Sequence, residues 1–421
     1  MSSFAVLRRR PVFAWALYDW ANSAFATTVM AGFFPIFFRQ YWSTGAEATL
    51  STFRLGVANG TASFVLAVLA PLLGAIADRG GARMRFLAVF TAMGVVMTAA
   101  LYFVEQGAWG WAAALYVGAS IGFWGGMIFY DSLLVDVSPR DQFDLVSGFG
   151  YSLGYLGGGV LFAVNVWMTL NPEQFGLASA SEAVRLSFQM VALWWAMFAV
   201  PIFLFVREPR GAPHPGALRA VKEGVAELVR TFHEIRRYRA LLLFLLAYWL
   251  YIDGVNTIMK MAVDYGMALG FPTNSLIIAL LVTQFVGFPA ALFFGWLGQR
   301  TSALAGIFIG IGVYVLVTIW AVFMSDVREF YGMAVAIGLV QGAIQSLSRS
   351  YFGSLIPPDR PGEFFGFYNM MGKFASVLGP FLMGITALVT GSSRLSLLSL
   401  VVLFAAGGWL LVIAARGTRN P

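Results

Sequence analysis

The chain contains no cysteine, and of its 421 residues only two are histidine, three are lysine and 11% are charged. Without cysteine there is no disulfide framework, no thiolate-held zinc and no thiol nucleophile. His214 and His233 both fall in one polar stretch, so no imidazole stands in an apolar segment as a base or metal ligand. The shortage of charge excludes more. A soluble domain carries about 25% charged residues. A chain that is 59% hydrophobic with mean hydropathy +0.77 cannot hide that surface from water. A water-soluble enzyme or nucleic-acid-binding protein is excluded, and the net charge of +7 reads as basic loops at a membrane surface.

What is abundant is apolar sequence. At roughly 20 residues per spanning helix, the length accommodates about twelve spans. Apolar runs between charge and turn clusters place them near 13–38, 55–77, 84–104, 111–137, 146–170, 184–206, 240–265, 274–297, 303–324, 330–355, 363–390 and 395–415. Helices are required, because open strands in lipid leave backbone groups unpaired. The start, MSSFAVLRRR, resembles a signal-peptide n-region, but the run at 13–38 is too long and lacks a cleavage site, so it is expected to be an uncleaved first span.

Counting Lys and Arg sets the orientation. With the N-terminus cytoplasmic, 19 lie on the cytoplasmic side, five opposite, and three (Lys260, Arg349, Lys373) within spans. Both termini are therefore expected inside. The stretch 207–239 divides two halves, 1–206 and 240–421. After the breakers REPRGAPHPG it shows apolar residues from Leu218 to Ile235 at helical spacing, which predicts an amphipathic helix lying along the inner surface.

The halves repeat each other. Asp19-Trp-Ala-Asn22-Ser23 in span one matches Asp253-Gly-Val-Asn256-Thr257 in span seven, at an offset of 234. A second match, at 218, pairs Pro139 with Pro357, Gly148 with Gly366 and Gly154 with Gly372. The loop Gly74-x-x-x-Asp78-Arg79-x-Gly81-x-Arg83 has a weaker counterpart, Gly295…Gln299-Arg300, which lacks the acid. Two parallel six-helix repeats in one order predict a binding site at the midplane, between halves that rock about it.

The loop at 74–83 resembles the signature of the major facilitator superfamily. WALYDWANSAFATTV (15–29), FYDSLLVDVSP (129–139), GYSLGYLGGG (150–159), LYIDGVNTI (250–258), SLSRSYFGSLIP (346–357) and EFFGFYNMMGKFASVLGP (363–380) are similar to the "unknown major facilitator" family. That family includes the autophagy-related vacuolar amino-acid effluxers of fungi. The resemblance implies an all-α membrane protein of twelve helices in two pseudo-symmetric bundles, secondary transport, and export of amino acids. It also implies an inner-membrane location for a bacterial source or a vacuolar one for a fungal source.

Charges inside the membrane mark a pathway or a partner, because each costs at least about 2.5–3.5 kcal/mol to insert. Asp19 and Asp253 each have an amide (Asn22, Asn256) one helical turn on; they either bind a substrate cation or proton, or clamp helices together. Lys373 lies roughly 15 Å into span eleven, where it either holds a substrate carboxylate or pairs with Asp253 or Asp19. Lys260 precedes Asp264 by four residues, which suits a local ion pair. Asp131 and Arg349 occupy equivalent positions of the 218-residue repeat, so they are expected to form an inner gate, or else to pair within their own halves. Asp78 can meet the positive N-terminal end of span eleven, and Arg79 and Arg83 can reach Asp136. Tyr18, Trp20, Tyr130 and Tyr155 neighbour these charges as candidate cavity-lining residues.

The glycine run lacks the G-x-x-x-x-G-K-[S/T] spacing of a nucleotide loop, and no cofactor or metal is implied. A carboxylate pair with a midplane lysine suits a zwitterion, so the leading expectation is a gradient-driven, proton-coupled amino-acid exporter functioning as a monomer. Efflux of amphiphilic cations is the alternative. A non-transporting sensor or an intramembrane enzyme is a remote third, since the spans hold no nucleophile with a positioned base.

Overall fold

The computed structural model describes residues 3–208, 239–375 and 378–417. The amphipathic stretch within 209–238 and the side chains of Arg79, Lys260 and Asp264 lie outside the described residues. Among the described residues, twelve helical segments are long and apolar enough to cross a membrane. In the first half they are α1 (Arg10–Trp42), α2 (Ala48–Gly80), α3 (Arg83–Ala100), α4 (Trp109–Ser132), α5 (Phe143–Leu170) and α6 (Ala180–Phe205). The second half holds α7 (Arg239–Ala268), α8 (Thr273–Arg300), α9 (Ala303–Phe323), α10 (Val327–Leu355), α11 (Pro361–Thr390) and α12 (Ser399–Gly417).

Local chemistry sets several of their ends. Gly81 takes the left-handed conformation (φ 54°) that closes α2. Ser179 and Ser302 accept backbone N–H bonds at the starts of α6 and α9, and Asp326 with Glu329 forms a capping box at α10. Buried apolar side chains gather into two cores, one drawn from residues 6–206 and one from 241–414, so each half packs about its own centre.

Two spans depart from uniform helices. In α1 the turns widen over Phe25–Phe33 and again over Phe38–Trp42, directly beyond the Asp19 motif. α11, expected as one continuous span, is two pieces, Pro361–Phe374 and Leu378–Thr390, and Ala375 leaves helical geometry at φ −75°, ψ 60°. The sequence at this point, GKFASVLGP, shows no breaker until Gly379-Pro380, beyond the end of the first piece.

An even number of crossings brings both ends of the chain to one side, here called the terminal face. The halves meet through α2 with the first piece of α11, α5 with α8 and α10, and α4 with α11. Small residues allow the closest approaches. A Cβ on Gly74 would collide with the Gly362 carbonyl, and one on Gly148 would lie 2.7 Å from the Ala291 carbonyl oxygen. Both contacts lie toward the terminal face, whereas the second piece of α11 packs on the short helix Ser393–Ser396, on α12 and on α7, within its own half. Gly74→Ala is therefore expected to lower stability by about 1–3 kcal/mol through overpacking. Gly60→Ala, inside the same helix with no neighbour within 4 Å, should not lower it. Thermal unfolding in detergent, followed by tryptophan fluorescence, distinguishes them.

Candidate functional site

The centre of the contact between halves is a single side chain. Arg349 of α10 is fully buried, and its guanidinium enters the first half. Nη1 lies 3.0 Å from Asp131 Oδ1 on α4 and 3.7 Å from Asp19 Oδ2 on α1. Nε donates to Ser147 Oγ at 2.9 Å and Nη2 to the Ser147 carbonyl at 3.0 Å. Three rings surround the cation: its Cζ is 4.8 Å from the Trp15 centroid, 5.4 Å from Tyr130 and 4.4 Å from Tyr151. Such faces attract a guanidinium through the ring quadrupole.

The acids are held in turn. Tyr130 donates its hydroxyl to Asp19 Oδ2 at 3.1 Å, and Asn369 of α11 donates to Asp131 Oδ2 at 3.2 Å. Trp15 stacks on Tyr130 and donates its indole N–H to the Tyr130 carbonyl at 2.9 Å. Tyr18 also stacks on Tyr130 and shares a 2.8 Å hydroxyl bond with Thr91. α5 makes room for the cluster with glycine: a Cβ on Gly150 would stand 2.9 Å from Trp15 and 3.2 Å from Arg349, and one on Gly154 2.7 Å from Ser23 Oγ. Trp15, Ser147, Tyr151 and Asn369 were not among the residues singled out above. Trp15 is four residues before Asp19, and Asn369 four before Lys373, so helical spacing could have found both.

The repeated motif does different work in the second half. Asp253 is fully buried; its Oδ2 accepts from Leu378 N at 2.9 Å, and its Oδ1 from Gly379 N at 2.8 Å and Thr257 Oγ1 at 3.2 Å. Asn256 donates to the Ala375 carbonyl at 2.6 Å. The D-x-x-N pair of α7 thus satisfies backbone groups on both sides of the α11 break, which lipid could not do. Asp19 and Asp253 share no partner in these contacts. Lys373, at the end of the first piece, lies over the indole ring of Trp124 on α4 and so reaches across to the first half.

The remaining candidates are dispersed. Asn22 faces α4, donating to Met127 Sδ at 3.2 Å. Trp20 stacks on Trp194 and meets Phe198 edge-on, both on α6 within its own half. Tyr155 crosses to the other, its ring against Gly287 of α8 and Gly342 of α10.

A second cluster lies at the terminal face. Asp78 accepts from the backbone N–H of Gly362 at 2.9 Å and Glu363 at 2.8 Å, where α11 begins and helix polarity favours an anion. Arg83 contacts Asp136 at 2.8 Å, Glu208 at 3.0 Å and Asp78 at 3.6 Å. Glu208 also caps α3 by accepting from the Arg83 and Met84 amides, each at 3.1 Å. Nearby, Arg140 donates to the Ile356 carbonyl at 2.9 Å, and Ser350 bonds Asp144.

Comparison with known proteins decides the family. The model of the family described as "Vacuole effluxer Atg22 like" matches residues 45–420. The chain belongs to that family. An MFS-type transporter of Bacillus subtilis (strain 168), YxiO, is 40% identical over 97% of this chain and 95% of its own. Autophagy-related protein 22 of Yarrowia lipolytica is 27% identical over 65% of this chain and 51% of its own length. Among solved structures, the human organic anion transporter MFSD10 (TETRAN) superposes with TM-score 0.72 at 16% identity, covering 96% of this chain and 99% of that one. FucP in the outward conformation gives TM-score 0.70 at 12% identity, with the same coverage. This Atg22-like protein is thus an integral, multi-pass transporter of the major facilitator type and not an enzyme.

Two substitutions probe the clusters. Asp131→Ala leaves the Arg349 guanidinium buried without its nearest carboxylate, and removing one member of a buried pair costs about 3–5 kcal/mol. The double variant Asp131→Ala, Arg349→Met should be more stable than Asp131→Ala alone. Separately, Asp253→Ala removes the cap from the second piece of α11, at about 0.5–2 kcal/mol. Thermal denaturation of each purified variant checks both outcomes.

Proposed function

We propose that this transporter exports amino acids or similar small zwitterions in exchange for protons, by alternating access, with the terminal face in the cytoplasm. In this reading the two clusters are latches that shut the cytoplasmic side. The observation that carries it is the buried Arg349 of one half held by Asp131 and Asp19 of the other. Two carboxylates beside one guanidinium leave one acid available for a proton or a substrate ammonium. Lys373 supplies a cation for a substrate carboxylate, with Asn22 and Tyr130 beside the acids and Tyr155 lining the path. Asp253 and Asn256 act on the same cycle by holding the α11 break near which Lys373 sits. Asp78, Arg83 and Asp136 serve as the outer latch, together with Arg79.

Membership of a family described as vacuole effluxers supports export. The 19-to-five bias of basic residues supports the orientation. Counterflow in proteoliposomes tests the reading. Labelled amino acid should exchange, Lys373→Ala should abolish exchange, and a proton gradient should drive net flux in the native chain but not in Asp19→Asn. Absence of exchange for every amino acid, with cationic dyes exchanged instead, would replace amino-acid transport by amphiphile efflux.

A further inference from the structure

We propose that the cage holding the Arg349 guanidinium is also the seat of the substrate's cationic group, the two cations occupying it in turn. The inference rests on the transport reading above and names the part of the solute that this site recognises, an ammonium or guanidinium.

The cage is built by one half. Trp15 and Asp19 come from α1, Tyr130 and Asp131 from α4, and Ser147 and Tyr151 from α5; the second half brings the occupant, from α10, and the Asn369 amide of α11 that donates to Asp131. When the halves part, the walls stay together and the guanidinium leaves. Two carboxylates, the Ser147 hydroxyl and the Ser147 carbonyl then lose their cation at once. Polar groups in an apolar interior do not remain uncompensated. A solute cation entering from the terminal face meets the same acceptors and the same three ring faces, and Gly150 adds no side chain to the volume that the guanidinium vacates. Asp19 is the looser contact at 3.7 Å, against 3.0 Å for Asp131. Counted at about 1.5 Å per residue from Arg10 and from Val137, where the two apolar spans reach the terminal face, it also lies roughly 5 Å deeper than Asp131. The returning guanidinium therefore reclaims Asp131 first and displaces the solute cation toward Asp19 and the far side. The arginine acts as a tethered competitor that drives release in one direction.

The natural absence of cysteine gives the test. Ser350 is 1% exposed at the α10–α5 junction, so Ser350→Cys carries one thiol that a water-soluble maleimide reaches when the halves part. Methylguanidinium is expected to speed labelling severalfold, and its neutral isostere methylurea is not. Adding Tyr151→Leu should raise the concentration of methylguanidinium required roughly three- to tenfold, whereas Tyr151→Phe should not. In Arg349→Gln, which lacks the tethered occupant, methylguanidinium should raise the thermal midpoint more than in the native chain. Equal acceleration by methylurea, or indifference to Tyr151→Leu, would overturn the proposal even if Arg349→Gln does not fold. Counterflow without a labelling response removes the cage and spares the transport reading; a labelling response without flux does the reverse.

Discussion

One guanidinium, buried where two helical bundles meet, sets the terms for the rest of the structure. An arginine cannot shed its charge in the interior, so every wall around Arg349 must offer acceptors or ring faces. Asp131, Asp19 and Ser147 supply the acceptors, and Trp15, Tyr130 and Tyr151 the faces. The glycines at 150 and 154 follow from the same need, since side chains there would occupy the volume of the cluster. A buried ion pair adds little net stability compared with apolar packing. Its value here is specificity: one relative position of the halves satisfies the charge, and any other leaves it exposed or unpaired.

The pseudo-symmetry of the chain makes the contrast between its halves informative. Asp19 and Asp253 stand at equivalent places, each beside a hydroxyl four residues on, and each packs against a glycine, Gly154 or Gly379. Those glycines are 225 residues apart, seven more than the sequence repeat of 218. The second half has thus slipped its contact by about two helical turns, and the slip coincides with the break in α11. Asp19 faces a side-chain cation of the other half, whereas Asp253 accepts from backbone N–H groups of its own. One motif has become a charge site in one bundle and a helix cap in the other.

Much of this could be read before the structure. Apolar runs gave the twelve spans, because lipid forces each segment to satisfy its own backbone. The contact of Asp131 with Arg349 was legible from the repeat, since opposite charges at related positions need each other in a low-dielectric interior. Asp78 at the start of α11 and Arg83 beside Asp136 followed from helix polarity and loop charge. The α11 break was not legible. Phe374 and Ala375 are ordinary helical residues, and what makes their interruption tolerable lies on another helix, in Asp253 and Asn256. Trp20 shows a second limit: nearness in sequence to Asp19 does not say which helix its face meets, and it meets α6.

The two clusters between the halves differ in how they can be broken. At the terminal face Asp78 holds α11 through backbone amides, groups that water can satisfy as soon as the contact loosens. Among the described residues Arg83 contacts no side chain of the second half; it ties α3 to Asp136 and to Glu208. That latch can therefore open residue by residue. The Arg349 cluster cannot, because moving the guanidinium strips both acids together unless another cation or a proton arrives. In the proposed cycle, opening at the rim therefore precedes opening at the centre, and the step that needs a ligand is the central one.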